Sequence, residues 1–146
     1  MTLANDSVPA WTTEFVGLPW RPHGRGRAGV DCWGLVCLVY HARYGIALPS
    51  YADAYGGVGE ADAAHLAGLV RGEVQQWRPV QAGAEREGDL VVIRLFGLDC
   101  HTGVIVAPGW MLHNLDGTDV VLTRYRTTVW QRRVSGFWRH RERRDD

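Results

Sequence analysis

Gly29-Val30-Asp31-Cys32-Trp33-Gly34-Leu35-Val36 is the stretch on which the reading of this chain turns. A Gly-rich approach ends at Asp31, and an almost wholly apolar run begins at Cys32. The run extends through Leu38, Val39 and Tyr40 to Tyr44, where Gly45 stops it. Apolar side chains nearly all round predict a buried helix over 32–44. Asp31 is then the residue whose carboxylate caps that helix. Cys32 stands in its first turn, where unpaired N–H groups and the helix dipole favour thiolate over thiol and supply donors to a developing oxyanion. The plainer alternative is a small core cysteine.

Working outward, Ala10–Val16 reads as a short helix after Pro9, with Trp11 and Phe15 on one side, and 17–31 as a loop dense in Gly, Arg and Pro. Beyond Gly45 comes a second loop to Gly59. Ala61–Trp77 carries Leu66, Leu69, Val70, Val74 and Trp77 at helical spacing, and Pro79 follows. After Gly88 the texture becomes strand-like. Leu90–Leu95, His101–Ala107, Trp110–Asn114, Val120–Arg124 and Val134–His140 are expected strands, the last with Phe137 inward. A turn at 96–99, Pro108-Gly109 and Asp116-Gly117 separate the earlier ones. Helices first and an antiparallel meander second give the α+β class.

The chain has 146 residues, 46% of them hydrophobic, which fits one domain with one core over 1–146. Residues 1–9 read as an N-terminal extension and 141–146 as a charged tail. The formal net charge is zero, so no nucleic-acid partner is indicated. Every positive side chain is Arg, and most of them gather at 21–27 and 124–144. Such clusters read as a solvated surface, or as a face for an acidic partner. No secretion signal or membrane span is visible. Cys32, Cys37 and Cys100 form neither a disulfide framework nor a paired zinc motif. Cys37 reads as core and Cys100 as a structural thiol. No cofactor or metal is expected.

A thiol nucleophile needs a base, and the base needs an orienting partner. His101 opens one strand and His113 lies on the next. Antiparallel neighbours can set both side chains on one face, with His113 holding one imidazole nitrogen of His101 and the other turned to Cys32. Taken singly, each is also readable as an ordinary strand or core histidine.

Several segments in order resemble the NlpC family of papain-like cell-wall endopeptidases, from about Phe15 to His140. They are Leu18-Pro19-Trp20, Asp31-Cys32-Trp33-Gly34-Leu35-Val36, Gly88-Asp89-Leu90-Val91, His101-Thr102-Gly103-Val104-Ile105-Val106 and Met111-Leu112-His113. Within the family the chain is most similar to versions at the tail tips of long-tailed phages and prophage particles. The resemblance implies a papain-like core in which a helix bearing Cys32 packs on an antiparallel sheet bearing His101 and His113. It implies acyl transfer from a peptidoglycan stem peptide, commonly beside D-glutamate, with Cys32, His101 and His113 as catalytic residues. It further implies synthesis in a bacterial cytoplasm, other tail proteins as partners and action at the cell wall or periplasm.

Two positions depart from the family. Trp20 stands where a tyrosine often helps hold the oxyanion, and can serve only through its indole N–H. Trp33 stands where many members carry serine, beside the nucleophile. Trp20, Asp31 and Trp33 are thus the expected cleft residues. Three alternatives stay open: a catalytically silent tail component, a zinc site built from Cys32, His101 and His113, and an amidase or acyltransferase on the same core.

Overall fold

The computed structural model describes residues 8–56 and 59–143. Most of the expected N-terminal extension and half of the charged tail lie outside them. The buried run beginning at Cys32 forms helix α1 (Cys32–Val39) and then a single wide turn of π-helix, Tyr40–Tyr44. Gly45 ends it at φ +65°, a left-handed conformation that favours glycine. Ahead of α1, the expected loop holds a small antiparallel ribbon, β1 (Arg25–Gly26) with β2 (Gly29–Val30). The first short helix is a 3-10 segment, Ala10–Glu14, where Trp11 meets Phe15 edge to face.

The second helix is shorter than its periodicity predicts. Helix α2 spans Ala63–Val74, and Trp77 instead opens strand β3 (Trp77–Val80). Its apolar spacing suits either element, and pairing with the last strand decides the outcome. Pro79 is tolerated because β3 is an edge strand. The sheet continues with β4 (Leu90–Leu95), β5 (Leu98–Ala107), β6 (Trp110–His113) and β7 (Val121–Arg124). Helix α3 (Thr128–Gln131), not foreseen, precedes β8 (Val134–His140). The strand order is β3-β8-β4-β5-β6-β7, all neighbours antiparallel. The β4–β5 turn is tighter than expected, with Phe96 and Gly97 both at positive φ between paired Leu95 and Leu98. The link from β6 to β7 is longer than a tight hairpin, with its turn at Leu115–Thr118.

Strand alternation splits the core. Leu90, Val92, Val104, Val106 and Leu112 face α1, packing with Leu35, Val36, Val39 and Tyr40. Val91, Ile93, Ile105, Met111 and Phe137 fill the opposite face with Tyr125. Both faces being covered explains why β4 reads as a continuous apolar run rather than an alternating one.

Candidate active site

Asp31 builds the nucleophile's turn. One carboxylate oxygen accepts from the Gly34 N–H at 2.8 Å and from Arg25 Nη1 at 2.8 Å. The other accepts from the His23 N–H at 3.0 Å and from the Tyr55 hydroxyl. The buried acid therefore caps α1 and joins it to the ribbon and to the loop after Gly45. It borders the recess beside Cys32, but all its strong donors come from within the protein.

Gly34 is needed one turn on. A Cβ there would stand 1.8 Å from the Gly24 carbonyl oxygen, so the ribbon approaches α1 as closely as only glycine allows. Trp33 donates its indole N–H to the Pro49 carbonyl at 2.9 Å and packs on Tyr51, forming a wall of the recess. The Trp20 indole N–H is buried and has no acceptor among the described residues.

Cys32 and His101 line one groove with Leu66, Leu95, Phe96, Cys100, Leu115, Asp116 and Arg133. His101 lies at a bulge. Ile93 pairs with His101 and Arg94 with Asp99, leaving Cys100 as the extra residue on β5. Bulges of this kind twist a strand and re-aim the neighbouring side chain. His101 Nε2 is 2.9 Å from His113 Nδ1, and His113 Nε2 is 3.0 Å from Thr123 Oγ1. Trp130 of α3 stacks edge-on against His113 at 4.9 Å between centroids. The chain of contacts spends Nε2 of His101 and leaves Nδ1 for another partner.

The electrostatics reverse one expectation. Burial pushes the Cys32 thiol up to about 11, the Asp31 carboxylate adds to the rise, and Thr102 only partly offsets it. Burial, reinforced by His113, pulls His101 down to about 3; burial alone takes His113 to about 4. Thus a neutral thiol beside a neutral imidazole is the resting form. The favourable field of the helix start is outweighed by desolvation. Among the described residues no group of three His, Cys, Asp or Glu side chains is arranged to hold a metal ion. Nor, among the described residues, is any helix long and apolar enough to cross a membrane.

Three contributors escaped the sequence. Thr102 lines the recess beside Cys32 and partly offsets the rise of its thiol. Gly103 lets β6 come close, since a Cβ there would stand 3.1 Å from the His113 Cβ. Asn114 Nδ2 donates to the Val30 carbonyl at 3.0 Å, tying the strand of His113 to the segment before Cys32. Only Gly103, inside the His-Thr-Gly segment, left a readable signal.

A cysteine opening a buried helix, packed on an antiparallel sheet that carries a histidine pair, defines a papain-like α+β protein. A sequence model of the NlpC/P60 family matches residues 17–139, and the chain belongs to that family. Among solved structures, it superimposes on an NlpC/P60 family protein from Bacillus cereus ATCC 10987 with TM-score 0.66. Identity is 21%, over 96% of this chain and 41% of that one. An NLP/P60 family protein similar to lipoprotein, from Staphylococcus aureus subsp. aureus Mu50, gives 0.62 at 18% identity, over 95% and 43%. The NlpC/p60 domain of the peptidoglycan hydrolase SagA gives 0.54 at 19%, over 93% and 97%. The chain thus spans less than half the length of the first two. No curated protein matches it.

Proposed function

We propose that this protein is a cysteine endopeptidase that cuts peptidoglycan stem peptides beside D-glutamate. The observation that carries the reading is that His101 lines one groove with Cys32 while its Nε2 is bonded to His113. Membership of the NlpC/P60 family supports a peptidoglycan hydrolase. In this reading Cys32 attacks the amide carbonyl as His101 Nδ1 takes the thiol proton. The protonated imidazole then gives that proton to the leaving amine. Water, deprotonated by His101, releases the acyl group from sulfur, and the imidazolium returns that proton to the Cys32 thiolate. Because the resting pair is neutral, the proton moves as the bond forms rather than beforehand. The N–H groups that open α1 at Cys32 are the donors we assign to the oxyanion.

The setting we propose is a phage-like tail tip, with other tail proteins as partners and delivery to the cell wall; Trp20 and Trp33 resemble that subgroup. A silent adaptor on the same fold is the second reading, favoured by the burial that keeps Cys32 protonated. Digestion of purified peptidoglycan by wild type and Cys32→Ala, with mass spectrometry of the fragments, separates the two. New muropeptides from wild type alone support the endopeptidase, and their masses give the bond. Identical digests from both proteins overturn it.

A further inference from the structure

The turn between β4 and β5 carries a residue its backbone does not favour. Leu95 pairs with Leu98, so Phe96 and Gly97 are the whole loop. Their φ angles are +55° and +74°. A two-residue hairpin loop with both residues at positive φ is a type I′ turn, which favours Asn-Gly, Asp-Gly or Gly-Gly. Gly97 meets that demand. Phe96 does not, because at positive φ its Cβ crowds the following carbonyl oxygen, and asparagine bears that conformation far better.

Packing does not offset the strain. Leu95 turns inward onto the buried clusters, whereas Phe96 is 53% exposed. The hairpin is nevertheless held near its base by the start of β8. The Arg94 N–H donates to the Arg133 carbonyl at 2.7 Å, the Arg94 side chain lies 3.7 Å from Asp99, and the Ser135 hydroxyl donates to Asp99. The ring is thus carried at a fixed place, and that place is a wall of the groove lined by Cys32 and His101. Leu66 and Leu115 line the same groove. Strained backbone concentrates at sites that hold a ligand. A phenyl ring has no hydrogen-bond donor or acceptor, so what it presents to the groove is a flat apolar face.

We propose that Phe96 is a substrate-contacting residue, kept in a strained turn so that its ring packs on a C–H-rich face of the wall fragment in the groove. That face is an alanyl methyl or a methylene of the stem peptide, or the C–H side of an attached sugar ring. The inference rests on the groove being the substrate cleft of a peptidoglycan hydrolase. It makes Phe96 a position where binding and stability pull in opposite directions.

The test measures both in the Cys32→Ala background, where the fragment stays uncut. Phe96→Asn supplies the residue the turn favours and removes the ring. It should raise Tm by about 2–4 °C. It should weaken binding of a disaccharide-tetrapeptide muropeptide, followed by NMR titration, about fivefold. Phe96→Tyr keeps both ring and strain and should match its parent in both measurements. The same tetrapeptide freed of its sugars separates the two sources. A fivefold loss there too assigns the ring to the peptide, and a loss confined to the muropeptide assigns it to the sugar. Unchanged binding in Phe96→Asn overturns the contact, as does the absence of any muropeptide binding. An unchanged or lower Tm overturns the strain. The hydrolase reading fails separately, if the wild type cuts no muropeptide while the Phe96-dependent binding stands.

Discussion

His101 and His113 share one hydrogen bond across neighbouring strands, Nε2 to Nδ1 at 2.9 Å, and Thr123 continues it from His113 at 3.0 Å. For His101 to take a proton at Nδ1, its Nε2 must carry hydrogen and donate to His113 Nδ1. His113 Nε2–H then donates to Thr123 Oγ1. One row of contacts thereby accommodates the tautomer a base requires. His113→Ala frees the ring and should lower kcat by on the order of a hundredfold. His113→Asn, which can present an oxygen near the place of Nδ1, should recover part of it. Muropeptide release rates check both; an unchanged kcat in His113→Ala removes the orienting role.

The neutral resting pair has its own signature. A thiolate–imidazolium pair would leave Cys32 reactive in mild acid. Here the thiol is held up to about 11 and His101 down to about 3, so proton transfer from sulfur to imidazole is unfavourable at rest. The rate of Cys32 alkylation by iodoacetamide should be low at pH 5 and climb steadily through pH 9. Tryptic mapping separates Cys32 from Cys37 and Cys100. A plateau of fast labelling from pH 5 upward would contradict the neutral pair.

Asp31 holds three segments at once, accepting from Gly34, Arg25, His23 and Tyr55. Removing the carboxylate takes the counter-charge from a mostly buried guanidinium, which keeps only the Ser50 and Gly24 carbonyls and the Tyr55 hydroxyl, and leaves the helix start uncapped. Asp31→Ala should cost about 3–5 kcal/mol, the range for breaking a buried ion pair. The urea midpoint measures it. A loss no larger than the roughly 1 kcal/mol of a simple cap would show that Arg25 and Tyr55 find other partners.

How much of this was legible depends on whether a contact is local. The start of α1, its Asp31 cap and the Gly45 stop follow from neighbours in the chain. That β5 and β6 are antiparallel neighbours across Pro108-Gly109 was readable, and it allowed His101 and His113 to share a face. Trp77 misled because apolar spacing fits a helix end and a strand start alike, and the choice belongs to β8, far away in sequence. Thr102 and Asn114 were invisible for the same reason. What they face, the recess beside Cys32 and the Val30 carbonyl, is set by tertiary packing. The neutral thiol was missed because a helix-start field is readable from sequence, whereas desolvation is not.

Gly34 tests the closeness of ribbon and helix. An alanine methyl would meet the Gly24 carbonyl at 1.8 Å and Arg25 Nη1 at 2.9 Å. Alanine favours a helix over glycine by up to about 1 kcal/mol, so propensity alone predicts stabilisation. The overlap is with backbone and must displace β1 or the first turn of α1. Gly34→Ala should therefore lose about 1–3 kcal/mol net in urea unfolding, and activity should fall with it. A gain in stability would mean that the ribbon yields freely.

The buried histidines also govern stability in acid. An unfolded histidine titrates near 6.5, whereas His101 and His113 stay neutral in the fold down to about 3 and about 4. Above pH 6.5 both states are neutral and the pair contributes no pH dependence. Below it the unfolded chain binds protons that the fold excludes, so stability declines as pH falls from 6.5 toward 4. Thermal unfolding should show Tm decreasing over pH 6.5 to 5, before the carboxylates protonate. His113→Gln removes one of the two buried imidazoles, and with it the like-group interaction that depresses His101. Its Tm should therefore vary less over that window than the wild-type Tm. Parallel Tm curves for the two proteins would show that His113 does not resist protonation in the fold.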